Sequence, residues 1–196
     1  VCINGATLDV NTSLATATSF VMQSGSMTGT GNLALNGSFT LSGGRIGGTG
    51  VLTTNGTSTI NNGTAHLDGR SWNNFGATTI NGRVTLDNGA VFTNEIGGTL
   101  TLAGTNATPI AGGVGLPSTL DNAGTVTKTG ATAQAITVAA FNNSGAVNIN
   151  AGALTVGAAF NWTGGALSGT GTNSLTTTGV TTLSGNDKTL NGATWT

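Results

Sequence analysis

Residues 20–31 read FVMQSGSMTGTG and residues 39–50 read FTLSGGRIGGTG. The same frame returns at 160–171 as FNWTGGALSGTG. Each copy alternates apolar and spacer residues, turns at Gly, and closes on Gly-Thr-Gly. A pattern with so little chemistry is repeated for its geometry. One apolar position extends it along the chain as Ile3, Met22, Leu41, Ile60, Ile80, Leu102, Lys128, Ile149, Trp162 and Leu183. The first five are 19, 19, 19 and 20 residues apart, and the later intervals are 22, 26, 21, 13 and 21. Lys128 breaks the apolar column, and the interval of 13 is too short for a full turn. Two residues earlier runs a second, mostly apolar column: Val1, Phe20, Phe39, Ser58, Thr78, Leu100, Val126, Val147, Phe160 and Thr181.

Alternate residues of a strand face opposite sides, so these two columns face inward together. The local period of two and the frequent Gly exclude long helices. Between the columns lies an outward file of Cys2, Val21, Thr40, Thr59, Thr79, Thr101, Thr127, Asn148, Asn161 and Thr182. A Gly follows each copy, at Gly5, Gly25, Gly43, Gly63, Gly82, Gly104, Gly130, Gly152, Gly164 and Gly185, and is expected to supply positive φ at a corner. In the middle copies a large apolar residue is followed two residues later by Asn and then by Gly. Examples are WNNFGATTI (72–80), LDNAGTVTK (120–128) and FNNSGAVNI (141–149). Asn suits turns, and stacked Asn side chains can bond in ladders.

One turn of about 20 residues cannot bury its apolar face alone, whereas stacked turns cover one another. The fold expected is therefore an all-β parallel β-solenoid, or β-helix, with 19–20 residues per coil and about nine coils, spanning 1–196 as one unit. An antiparallel sandwich would explain periodic strands but not equivalent columns. The widest interval holds AGTNATPIAGGVGLPS (103–118), with both prolines, and is expected to form an enlarged loop.

Composition narrows the function. Only 6% of the 196 residues are charged, the net charge is −1, and 34 are Gly. No basic stripe exists for a nucleic-acid backbone. No apolar run reaches the ~20 residues of a membrane helix. Hydrophobic residues still make up 37%, at regular intervals, which excludes a disordered chain. Cys2 is the only cysteine, so no internal disulfide or Cys-based zinc site forms. The chain opens on Val1 without Met or a signal sequence, as a mature product or excised segment does.

The segments FNNSGAVNINAGALTV (141–156), FNWTGGALSGTG (160–171) and TLDNAGTVTKTG (119–130) resemble the β-strand repeats of large bacterial surface proteins. These are the filamentous-haemagglutinin-like exoproteins and autotransporter passenger domains. The resemblance implies a right-handed β-helix, secretion to the bacterial cell surface, and adhesive or structural work in a filament. It implies no catalytic residue. It makes the chain an interior segment. Residues 1–3 and 194–196 read as strand fragments rather than polar caps, so neighbouring repeats or identical subunits are expected to cover both ends, with host-cell or matrix glycans as further partners. No cofactor or metal is expected.

Two residue sets stand out as candidate sites. His66, Asp68, Arg70, Arg83 and Asp87 fall close together, with Glu95 nearby. Asp68 and Asp87 are 19 apart, so the fold expected stacks them on adjacent coils. Two carboxylates that close can cleave or bind a polysaccharide. The plainer expectation is a solvated pair neutralised by Arg70 and Arg83. His66 lacks the companions a metal needs. The second set is the file Thr40, Thr59, Thr79, Thr101 and Thr127. A regular, uncharged Thr face is similar to the ice-contact face of solenoid antifreeze proteins, although Thr is also simply a good strand residue. Trp162 is expected in the core, and Trp72 beside Phe75 and Phe92.

Overall fold

The computed structural model describes residues 1–16 and 18–196. The chain winds through three parallel sheets in a fixed order, once per coil, and every bridge joins a strand to the equivalent strand of the next coil. Sheet 1 has ten rungs, from Cys2–Ile3 through Phe20–Met22 and Phe39–Leu41 to Lys188–Asn191. Sheet 2 also has ten, from Thr7–Asp9 to Thr194–Trp195, and sheet 3 has nine, from Leu14–Thr16 to Thr181–Leu183. The architecture is the β-solenoid expected, with roughly 20 residues per coil and ten coils where about nine were counted.

The columns stack as argued. Leu41 pairs with Ile60, Ile60 with Ile80, and Ile80 with Leu102. The inward residues form one continuous core along the rod. Aromatic rings stack within it: Trp72 lies on Phe92 with centroids 4.5 Å apart and planes 8° from parallel, and meets Phe39 edge-on at 5.8 Å. Phe75, expected beside them, is half exposed at a corner. Fully burying one such side chain stabilises by about 1.5–3 kcal/mol. Here each is covered only because the coils above and below supply its neighbours.

The short interval has a structural cause. Residues 159–162 belong to sheet 3, where Asn143 pairs with Trp162. Sheet 1 continues instead through Gly165–Gly169, with Val147 opposite Leu167 and Ile149 opposite Gly169. Phe160, Asn161 and Trp162, with Thr181, Thr182 and Leu183 one coil on, therefore form columns of sheet 3. The alternation buried–partly exposed–buried occurs on all three faces, so FNW reads like FVM although it lies on another face.

The role of Gly also differs from the expectation at several corners. Gly63, Gly82 and Gly104 do not have positive φ. A Cβ at these positions would come within 2.0, 1.9 and 1.9 Å of a carbonyl oxygen on the coil before. These corners need Gly because neighbouring backbones run too close for any side chain. Within 103–118, Ile110–Gly112 forms the sheet 2 rung, so the extra chain lies on either side of it. Residues 113–114 continue alongside the preceding sheet 2 strand: Gly113 N–H donates to Leu86 O and Val114 N–H to the Asp87 carboxylate.

Candidate functional site

The three faces carry different chemistry. On sheet 1 the threonine file is in register: Thr40, Thr59, Thr79, Thr101 and Thr127 pair in sequence. All five are partly exposed. Among the described residues, no side-chain hydrogen bond involves their hydroxyls, whereas the inward Thr54 and Thr78 hydroxyls are tied to Asn74. The parallel outward file reads Ser38, Thr57, Ala77, Thr99, Thr125 and Ala146. Across these coils the face carries neither charge nor aromatic ring.

Sheet 2 gathers the charged side chains. Asp68 and Asp87 are register partners on adjacent strands. The His66 imidazole meets Asp87 at 2.7 Å through Nδ1. Arg45, which the sequence left out of the cluster, lies 2.7 Å from Asp68 and 3.6 Å from Asp87. Asn88 donates its amide to Asp68. That bond, joined by the Arg45 guanidinium and partly opposed by burial, holds the Asp68 carboxyl below its ordinary value of 3.8. Asp87 is only 2% exposed; one oxygen serves His66 and Arg45, and the other accepts the Val114 N–H at 2.9 Å. Both of its oxygens are thus committed within the protein. Arg83 starts the strand that carries Asp87, and no ion pair joins it to either carboxylate among the described residues.

Arg70 is not at this surface. It is wholly buried and donates to the carbonyls of Gly47 (2.8 Å), Gly29 (2.9 Å) and Gly31 (3.3 Å). Burial lowers its pKa. Lys128 is likewise enclosed, donating to Gly130 O, to Thr132 O at 2.8 Å and to Ala151 O at 3.0 Å. Burial lowers its pKa as well. The cation that breaks the apolar column thus serves as a bolt for corner carbonyls. Hydrogen bonds to the charged form replace the water it loses.

Sheet 3 carries two amide ladders. The inner one is buried: Asn74 donates to Asn94 at 2.9 Å, Asn94 to Asn122 at 2.8 Å, and Asn122 to Asn143 at 2.7 Å. Thr54 closes the upper end, and Trp162 takes the next position below. The same amides reach corner carbonyls, among them Gly76 O and Gly145 O. The Asn-then-Gly signature of the sequence is therefore one unit, in which Gly lets the backbones close up and Asn ties them. On the outer surface a second row runs from Asn161 to Asn142 (2.8 Å) and from Asn142 to Asp121 (2.7 Å). Only the abundance of Asn hints at this row in the sequence.

Two clefts stand out among the described residues. The larger, about 290 Å³, lies beside 112–118 and is lined by Gly112, Gly113, Gly115 and residues 116–118 on one side and by residues 137–139 on the next coil. The smaller, about 120 Å³, lies at the end of the outer amide row. Among the described residues no group of His, Cys, Asp and Glu is arranged to hold a metal ion. Compared with protein-family models, curated proteins and solved structures, the chain finds no match.

Proposed function

We propose that this chain is a non-enzymatic structural and adhesive segment of a large exported bacterial surface or filament-forming protein. One observation carries this reading: three parallel sheets run unbroken along the rod, each strand paired with its equivalents on the neighbouring coils. Such a body has length, stiffness and three flat faces, which suits display and lateral contact. The fully committed Asp87 argues against paired-carboxylate chemistry on a polysaccharide. Further coils, or an identical subunit, are the partners proposed for the rod ends, where Val1, Leu14, Leu183 and Leu190 are 61%, 50%, 55% and 53% exposed. Unpaired strand edges at such ends template further pairing. Electron microscopy and light scattering test the rod, and adhesion of protein-coated beads to cultured host cells tests adhesion. The expected outcome is elongated particles that associate end to end, with beads that adhere without releasing sugar products. Compact, non-associating particles on beads that do not adhere overturn the reading.

A second reading is supported by the threonine face. Five hydroxyls in register, on side chains whose β-branching restricts χ1, are pre-arranged to hold an ice-like water layer. Thermal hysteresis that disappears in Thr59→Tyr and Thr101→Tyr selects it, and its absence in the unaltered protein removes it.

A further inference from the structure

We propose that the smaller cleft, at the corner between sheets 3 and 1, is a binding notch for a single neutral sugar ring; this deepens the adhesive reading and rests on it. Thr93, Asp121, Asn142, Ser144 and Thr163 line it. Thr93, Asp121, Asn142 and Asn161 are consecutive register partners on the outer face of sheet 3, so three successive rungs place side chains at the notch and a fourth supports them.

The bonding already made inside the protein determines what is left for a ligand. Asn161 donates to Asn142 Oδ1, and Asn142 donates to Asp121 Oδ1. The amides therefore point the same way, and such a chain polarises toward its carboxylate end. Asn142 keeps one N–H, and Asp121 keeps its second oxygen. Asp121 has no cationic partner among the described residues. The Ser144 hydroxyl donates to Asn122 O at 3.3 Å and the Thr163 hydroxyl to Asn143 O at 3.2 Å. Both hydroxyls are thereby oriented with their lone pairs still available. The side chains around the notch thus retain one carboxylate acceptor, one amide donor and two hydroxyl acceptors.

Neighbouring sugar hydroxyls, each a donor and an acceptor, match that set. An anionic ligand would meet the Asp121 carboxylate. A hard cation would find one carboxylate where several oxygen ligands are needed. The surface the notch exposes is mostly apolar, so its occupant needs a non-polar face as well as hydroxyls, and a sugar ring has both. A volume of about 120 Å³ is well below the ~300–1,000 Å³ of a drug-sized site, which limits the occupant to one ring of a longer glycan. Because the strands and the amide row hold the lining in place, little side-chain freedom is lost on binding. One notch binds weakly, and a filament displaying many copies binds by avidity.

The test is an NMR titration of this chain with the methyl glycosides of mannose, galactose and glucose. It follows the side-chain amides of Asn142 and Asn161. At least one glycoside is expected to give saturable shifts at both. Asp121→Ala, and the near-isosteric Asp121→Asn should the first variant lose its fold, are expected to weaken binding about tenfold or more, the scale of one lost bond to a charged group. Thr53→Ala, on the same face away from the notch, should leave binding unchanged. No saturable shift with any of the three, or shifts that persist undiminished in Asp121→Asn, overturns the proposal. Bead adhesion to cells without glycoside shifts overturns the notch alone. Glycoside shifts without bead adhesion support the notch and count against the adhesive role.

Discussion

Replacing Asn94 by Ala tests the inner amide ladder at its centre. Asn94 is wholly buried, accepts from Asn74 at 2.9 Å and donates to Asn122 at 2.8 Å. Its amide also reaches Gly98 O at 3.3 Å and Thr125 O at 3.2 Å. Removing it strands the Asn122 Oδ1 acceptor, whereas the Asn74 amide keeps Gly76 O and Thr99 O. One stranded buried polar atom costs about 1–3 kcal/mol. The lost ladder bond and the small void left by the truncated side chain add about 1 kcal/mol. The expected destabilisation is therefore about 3 kcal/mol. Asn161→Ala, on the exposed row, should cost at most about 1 kcal/mol. Urea denaturation at unchanged slope measures both. Stacked coils can unfold in parts, so native-state hydrogen exchange should show the loss centred on the coils carrying Asn74, Asn94 and Asn122. An Asn94→Ala protein within about 0.5 kcal/mol of the parent would refute the ladder as a source of stability.

Three further outcomes follow from the buried and paired charges. Arg70→Ala leaves the carbonyls of Gly29, Gly31 and Gly47 without their donor and should destabilise by about 3–5 kcal/mol; Arg70→Lys should not restore denaturation stability, because a single ammonium cannot reproduce a three-nitrogen fork. The Asp68 carboxyl is held below 3.8, so its contribution to stability is present above that pH and is lost as pH falls through the folded value. Carbon-detected NMR should find its midpoint below 3.8, and Asn88→Gly, which tolerates the left-handed φ of 52° at that position, should raise it. Gly113→Ala would place a Cβ 1.8 Å from an Asp87 oxygen and 2.7 Å from a Thr85 methyl. Residues 113–114 must then move away from Asp87, and the Val114 amide should lose its protection from hydrogen exchange.

The fold was legible because side-chain alternation and coil length are both written in the apolar columns. Leu41, Ile60 and Ile80 stack as the spacing requires, and the threonine file and the Asn ladder are in register. The identity of the face was not legible from those columns. Phe160 and Trp162 show the alternation of Phe20 and Met22, but they lie on sheet 3. Only the corners distinguish the faces, and corner residues do not alternate. The pairing of charges was harder still. Arg45 lies 23 residues from Asp68 and 42 from Asp87, yet the winding brings it to both. Arg70, two residues from Asp68, turns inward because two glycine-rich segments present three carbonyls there. A charged residue in a glycine-rich sequence reads as exposed until the coil that encloses it is known.

The scarcity of charge follows from the winding itself. In a parallel solenoid, equivalent residues lie about 4.8 Å apart on successive coils. A charge repeated at one position therefore faces its own kind. Two unit charges about 5 Å apart at an effective dielectric constant of about 20 repel by roughly 3 kcal/mol, as much as one buried side chain contributes. Amides escape this penalty because each is both donor and acceptor, so Asn stacked on Asn gains a bond where Asp on Asp loses one. Asp68 over Asp87 is the one place among the described register pairs where like charges stack, and there Arg45 contacts both carboxylates, with His66 on one and Asn88 on the other. On sheet 3 the outer row uses the other solution, with Asp121 above Asn142 and Asn161. On the strands, each carboxylate is answered by a neighbouring coil's cation, amide or hydroxyl, and a scarcity of charge at 6% of residues accords with that constraint.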